Sequence, residues 1–576
     1  MNEQAFAAAL AALSAEHRSE PDCVVVETTV RGPATVDVPC LELELDLPEL
    51  LLWTMRGGRW EATYPAEAFA PRGRLVHPRH LPDRDFKRGA PGFGTHSFGS
   101  IGGRSSDGDM PYFLLEEPGG EGGLWVAVGW SGDWTATVQR TRAAGGFAVW
   151  VEGPGAGVEL ADGEELTLPP MYVGAYTGDG WAAIRSFLKR RARPVASPPV
   201  VYDTWFNEEI RMTGERLREH VDVATEVGIE YFVVDAGWYE TGTHPLQGGS
   251  DWYAATGSGV DHVGIGTWRA DPERFPDGLE SVSEAVRAAG IRFGIWFEPE
   301  RAHAGSWVAT EHPEWVRESP DAQFRLLDFG NPDGRSWILE TMSTAIAELQ
   351  VGWVRWDMNF KESRVFWRDD PRGELDHVRG VWAVIDELKR RHPDLILEGC
   401  ASGGNRMDAE MLMRSDTYWM SDSVGSPDVV RGQIRNARRL LPAQYCGVSF
   451  TPHLPPAEDW PDEWWVLPLS GTPVIMDRPS SWTPALRKRA ADHIAAFKGF
   501  RHLLDGEYRV LTDADDVRLS EWDAWEFSDA QTGEAVLIAF RLRSDEPRRR
   551  FQGAADWDVE LPLEGAGTWH APAAGG

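Results

Sequence analysis

Six apolar segments of this chain each end in a polar residue, always at the C-terminal end. The clearest is Val351-Gly-Trp-Val-Arg-Trp-Asp-Met-Asn359, an alternating run that stops at Asp357 and Asn359. Val233-Val-Asp-Ala-Gly-Trp-Tyr239 stops at Asp235, and Ile291-Arg-Phe-Gly-Ile-Trp-Phe-Glu-Pro-Glu300 stops at Glu298 and Glu300. Phe324-Arg-Leu-Leu-Asp-Phe-Gly330 carries Asp328, Leu395-Ile-Leu-Glu-Gly-Cys400 leads to two glycines, and Thr417-Tyr-Trp-Met-Ser-Asp422 closes on a carboxylate. Apolar runs of this length read as buried strands. A carboxylate is costly to bury at a strand end unless it is paired or used. Six strands with their polar residues at one end imply one shared site, the arrangement found at the C-terminal face of a parallel barrel.

Helical patterns separate these strands. Leu217, Val221, Ala224 and Val227 recur at spacings of three or four, as do Leu279, Val282, Val286 and Ala289, and Val378, Val381, Ile385 and Leu388. Strand–helix alternation predicts a central (β/α)8 barrel over 196–505. Its first strand falls within 199–207, and the segments 445–450 and 473–476 compete for the last. Before it, residues 1–195 alternate in period two, as at Leu41, Leu43 and Leu45, with glycine-rich turns, and predict a β-sandwich with a linker helix about Trp181 to Arg191. After it, residues 506–576, with strands in 517–527 and 535–542, predict a small antiparallel β domain. The fold class is thus multidomain α/β plus β.

A net charge of −33 argues against nucleic acid, which requires a basic face. No apolar run is long enough for a membrane span, and the N-terminus lacks a basic region before its alanines, so neither a membrane partner nor a secretory signal is expected. Four cysteines without metal-ligand spacing fit a reducing cytoplasm. Cys400, beside a glycine-rich turn, reads equally as a pocket residue or as a small buried hydrophobe. Homo-oligomerisation is left open.

Clustered carboxylates beside tryptophans (Trp205, Trp238, Trp268, Trp296, Trp356 and Trp419) point to carbohydrate: sugars stack C–H faces on indoles and need paired polar groups. Most single tryptophans in such positions are core residues. Glycoside hydrolysis takes two carboxyl groups, one on each side of the bond. An alternative is a metal-dependent isomerase or lyase using Asp235, Glu298, Glu300, Asp328 and His303. A glycan-binding barrel without catalysis and a transglycosylase are further alternatives.

Specific motifs bear on that choice. Arg355-Trp-Asp-Met-Asn359 resembles the Lys-Trp-Asp-Met-Asn signature of glycoside hydrolase family 36, the bacterial α-galactosidase family of clan D. Gly294-Ile-Trp-Phe-Glu-Pro-Glu300 is similar to its Gly-Leu-Trp-Phe-Glu-Pro-Glu, and Glu398-Gly-Cys-Ala-Ser-Gly-Gly-Asn-Arg-Met-Asp408 to its Cys-x-Ser-Gly-Gly-x-Arg-x-Asp. Arg414-Ser-Asp416 and Trp419-Met-Ser-Asp-Ser423 resemble two further family runs. The likeness spans about Tyr202 to Arg509 in the family's motif order.

The resemblance implies a retaining α-glycosidase, α-galactosidase-like, acting on an oligosaccharide or glycoside with no cofactor and no metal. It implies Asp357 as nucleophile and Asp422 as acid/base. Substrate contacts would come from Asp235, Trp296, Arg355, Asn359, Cys400, Gly403, Arg414 and Trp205. Three departures touch sugar recognition: Ala236 stands where the family has a second Asp, Ala322 where it tends to have Arg, and Arg355 where it has Lys. Arg325 or the insertion 241–262 could replace a lost contact. The reaction class is kept while the choice of sugar is opened, including an α-linked sugar other than galactose.

Overall fold

Eight parallel strands close into a barrel in the computed structural model. We number them β1 (Val201–Asp203), β2 (Tyr231–Val234), β3 (Arg292–Phe297), β4 (Val351–Trp356), β5 (Ile396–Gly399), β6 (Thr417–Trp419), β7 (Cys446–Phe450) and β8 (Thr472–Ile475). The structure describes residues 16–58, 68–76, 96–140, 146–192, 195, 197–208, 211–240, 264–320, 322, 324–359, 363–450, 460–512 and 520–573. The insertion 241–262 and residues 517–519 of an expected C-terminal strand lie outside the described residues.

The barrel corrects the strand count. Segments 445–450 and 473–476 do not compete: both are barrel strands, β7 and β8, with Val448 opposite Pro473. The segment ending at Asp328 is not a barrel strand. Arg325–Leu327 pairs antiparallel with Arg301–Ala302 and Val316–Arg317 in a three-stranded sheet of its own. Asp357 therefore follows the fourth strand and Asp422 the sixth, one fewer in each case than if the 324–328 segment were a barrel strand. Three apolar residues before an aspartate look the same in either setting, because the local pattern does not report the pairing partner.

Helices form where periodicity and caps agree. Helix α1 (Gly214–Val227) starts at Thr213, whose hydroxyl accepts from the Arg216 amide, and stops at Gly228, held at φ 90°. Leu217, Val221 and Ala224 face inward and are buried; each buried leucine contributes about 1.5–3 kcal/mol relative to exposure. Helix α2 (Pro371–Arg391) follows β4 and packs Val378, Val381 and Ile385 on the barrel. Helix α3 (Pro427–Leu440) follows β6.

Two antiparallel sheets, of seven and four strands, precede the barrel. Strand Leu41–Leu45 buries its leucines and turns its glutamates outward, as the alternation requires. The linker helix runs Gly180–Arg191. Beyond the barrel, a four-stranded and a two-stranded antiparallel sheet follow. They dock on α3, whose buried Arg431 and Arg435 reach Asp523 at 3.6 and 3.2 Å.

A buried ion pair spans the barrel's C-terminal face. Glu300, after β3, receives Nη2 and Nη1 of Arg406, after β5, at 2.7 and 2.9 Å. Burial alone would raise the Glu300 carboxyl, but the Arg406 charge and the His377 bond carry it down to about 2. Its stabilisation is therefore present above the ordinary glutamate range and is lost as pH falls towards 2. Glu300→Gln leaves Arg406 buried and uncompensated and should cost about 3–5 kcal/mol, read from urea unfolding at pH 7. Replacing both partners by methionine should recover most of that loss.

Candidate active site

Asp357 lies immediately after β4, 5 % exposed, with every carboxylate direction occupied. Oδ1 accepts from the amides of Met358 (2.8 Å) and Ser402 (3.2 Å). Oδ2 accepts from Trp296 Nε1 (3.1 Å) and Asn359 Nδ2 (2.8 Å). The donors come from β3, from the turn after β4 and from the turn after β5, so the barrel itself aims them. Burial pushes this carboxyl up. The Arg355 charge, the Cys400 thiol, Trp296 and Asn359 together outweigh burial and hold it below the usual aspartate range. Asn359 is fixed in turn: its amide and Nδ2 donate to Glu298 at 2.6 and 3.2 Å, and its Oδ1 accepts from Ser402 Oγ at 2.9 Å.

Asp422 sits two strands away, partly exposed, and accepts only Trp419 Nε1 (2.8 Å) among its described hydrogen bonds. Burial and the neighbouring Asp357 charge push its carboxyl up to about 6. The two carboxyl groups are thus driven apart: one stays ionised, the other holds a proton into mildly acidic solution. Gly403, at φ 85°, sits between them on the fold, bridged to Ser421; a Cβ there would lie 2.6 Å from Ser421 Cα. Cys400 is buried, and burial with the Asp357 charge keeps its thiol protonated and able to donate.

A second carboxylate pair lies beyond Arg355. Asp203, at the end of β1, accepts Arg355 Nη1 at 2.8 Å and the Trp205 amide at 2.8 Å. Asp235, after β2, lies 3.4 Å from Arg355 Nε. Burial and the Asp203 charge push the Asp235 carboxyl well up, and burial also raises Asp203. The Arg355 guanidinium also lies 4.9 Å above the Trp419 ring, a face-on contact suited to a planar arginine.

Of the residues expected from sequence, Asp357, Asn359, Trp296, Arg355, Asp235, Cys400, Gly403 and Asp422 are brought together. Trp205 follows β1 and is half-buried, whereas Trp238, Trp268, Trp296, Trp356 and Trp419 are all buried. Arg414 is a correction: its guanidinium bonds Glu410 and Asp386 and covers Trp382, in the helical layer outside the barrel. It ends a six-residue helix, Ala409–Arg414, which carries it away from the strand ends. Arg325 is also engaged elsewhere, paired with Glu318. Ala236 and Ala322 supply no polar group; Ala322 packs beside Met358 and Ala401.

The carboxylates of the metal-site alternative do not converge. Glu298 and Glu300 are taken by Arg301 and Arg406, Asp235 faces Arg355, and Asp328 accepts Arg317 Nε at 2.7 Å. Four further residues serve the site. Asp203 ends β1 just as the other carboxylates end their strands, so the same rule could have found it. Glu298 was singled out as a strand-end carboxylate, but its grip on Asn359 needed the fold. Ser402 lies in the quoted run Glu398–Asp408 but was not singled out, and Arg104 had no readable signal.

The chain's similarities agree with this geometry. The melibiase family model matches residues 177–448. α-Galactosidase C of Emericella nidulans is 28 % identical over 479 residues, 76 % of this chain and 58 % of that protein. An α-galactosidase of Escherichia coli is 28 % identical over 343 residues, 56 % of this chain and 45 % of that one. The chain thus spans about half the length of such relatives. Among solved structures, a variant of the family 36 α-galactosidase AgaA of Geobacillus stearothermophilus bound to raffinose superposes with a TM-score of 0.78. It is 18 % identical and covers 96 % of this chain and 80 % of its own. The fold is that of a (β/α)8-barrel protein with flanking β domains, and the barrel region is similar to the melibiase family.

All four cysteines are free and buried. Burial raises the thiols of Cys23 and Cys40 to about 12 and that of Cys446 to about 11, and lifts Cys400 further. A thiol must ionise to react. The native protein at pH 8 should therefore resist iodoacetamide, and all four cysteines should label in denaturant, counted by intact mass. Rapid native labelling of Cys400 would contradict the protonated donor assigned to it.

Proposed function

We propose that this protein is a retaining α-glycosidase of the α-galactosidase type, releasing terminal α-linked sugars from oligosaccharides. The observation that carries the reading is the divergence of the two carboxyl groups, Asp357 held ionised and Asp422 lifted to about 6. Opposed pKa values in one pocket separate a nucleophile from a general acid. In the first step Asp357 attacks the anomeric carbon while Asp422 passes its proton to the departing glycosidic oxygen, leaving a glycosyl ester on Asp357. In the second, Asp422 takes a proton from water, water attacks the anomeric carbon, and Asp357 is released. Trp296, Asn359 and the amides of Met358 and Ser402 hold the nucleophile. Arg355 adds positive charge and, with the Asp203–Asp235 pair and Trp205, reads sugar hydroxyls.

Raffinose and stachyose, bound in the Geobacillus structures, indicate the substrate class. A second reading concerns the sugar. Ala236 and Ala322 give no hydrogen bond, and a pocket that loses such groups discriminates hydroxyls less sharply. The preference for galactose should be weaker than strict, with another α-linked sugar accepted. Four free buried cysteines fit a reducing compartment, and we place the protein in the cytoplasm.

The pH profile tests the assignment of acid and base. kcat/KM should fall above about pH 6 as Asp422 loses its proton, and on the acid side only below the ordinary aspartate range. Asp357→Ala should lower turnover by roughly 10⁴-fold or more, with azide restoring part of it as the β-glycosyl azide. Asp422→Ala should harm substrates with poor leaving groups most and remove the basic limb for activated aryl glycosides. A panel of nitrophenyl α-galactoside, α-glucoside, α-N-acetylgalactosaminide and β-L-arabinopyranoside reads the sugar. Galactose alone, with all others inert, would overturn the relaxed preference.

A further inference from the structure

The strands His96–Ser100 and Asp109–Glu116 of the N-terminal domain are joined by residues 101–108, and this loop reaches the barrel. Arg104 within it is fully buried. Its Nη1 donates to the carbonyls of Met358 (3.4 Å) and Ala401 (3.1 Å) and to Ser402 Oγ (3.2 Å). Nη2 is held by Asp107 at 3.1 Å. Met358 and Ser402 are the residues whose amides donate to Asp357 Oδ1, and Ser402 Oγ turns Asn359 towards Oδ2. Ser402 has φ 52°, a left-handed conformation that is strained for a non-glycine residue and persists only where its surroundings impose it.

We propose that Arg104 is a positioning residue for the nucleophile, supplied by the N-terminal domain: it clamps the turns after β4 and β5 so that both amides stay aimed at Asp357. The role rests on the glycosidase reading. Arg104 also adds positive charge that acts on Asp422 and Asp357. It touches no position where a substrate atom would react. The same loop makes other contacts with the barrel, from Ser106 to Asn405 and Gly404 and from Ser105 Oγ to Asp408 at 2.8 Å. A purely structural rivet would therefore behave like Ser105.

Three variants separate these roles: Arg104→Met, which removes donors and charge; Arg104→Lys, which keeps the charge; and Ser105→Ala, which loosens the same loop elsewhere. kcat and KM for nitrophenyl α-galactoside are measured across pH, with melting temperatures alongside. Arg104→Met should lose about 10²-fold in kcat with KM little changed, as expected for a slightly misplaced reacting group. The acid limb of kcat/KM should rise by roughly half a pH unit as Asp357 loses support. Arg104→Lys should recover part of both. Ser105→Ala should lower the melting temperature with kcat and the acid limb unchanged. If Arg104→Met changes only the melting temperature, as Ser105→Ala does, the role is overturned. Should Arg104→Met fail to fold, a wild-type kcat and acid limb in Arg104→Lys overturn it instead. A wild type inert towards every glycoside would remove the proposed function and this role together, whereas an active wild type with indifferent Arg104 variants removes this role alone.

Discussion

An ionised carboxylate buried in a barrel is unstable unless donors surround it, and the neighbourhood of Asp357 is organised by that requirement. Two amides, an indole and a carboxamide converge on it from β3, the β4 turn and the β5 turn. Each donor needs its own support. Glu298 fixes Asn359, Glu300 fixes Trp356 and Arg406, and Arg104 fixes the turns at Met358 and Ser402. The result is a set of charges whose positions depend on one another, so the pocket is pre-formed.

Arg355 links the two halves of that set. It offsets burial for Asp357 on one side and grips Asp203 and Asp235 on the other. A lysine would present a point charge; the planar guanidinium instead bonds Asp203 and lies over the Trp419 ring. On the opposite side, Asp422 has a single indole donor and so remains the group that titrates.

Much of this was legible in the sequence, because strand periodicity and strand-end chemistry are local. The alternation up to Trp356 and the carboxylate after it located Asp357, the proposed nucleophile, at the end of β4, and helical spacings located α1 and α2. What failed was whatever depends on pairing. Arg325–Leu327 carries a barrel-like pattern but pairs antiparallel outside the barrel, which shifted the strand count by one. Arg414 lies in a family-like run, yet a short helix turns it onto Trp382. Arg104 gave no signal, since it is 253 residues from Asp357 in the sequence and acts through a contact between domains.

The central claim is that Asp357 forms the covalent bond to the sugar. Incubation with a fluorinated α-glycosyl fluoride that forms the glycosyl-enzyme quickly and loses it slowly, followed by proteolysis and mass spectrometry, tests it directly. The account predicts one sugar per chain, attached to Asp357 in the peptide bearing Trp356 and Met358. A sugar attached to Asp422, or inversion of configuration in the first product with no adduct, would contradict it.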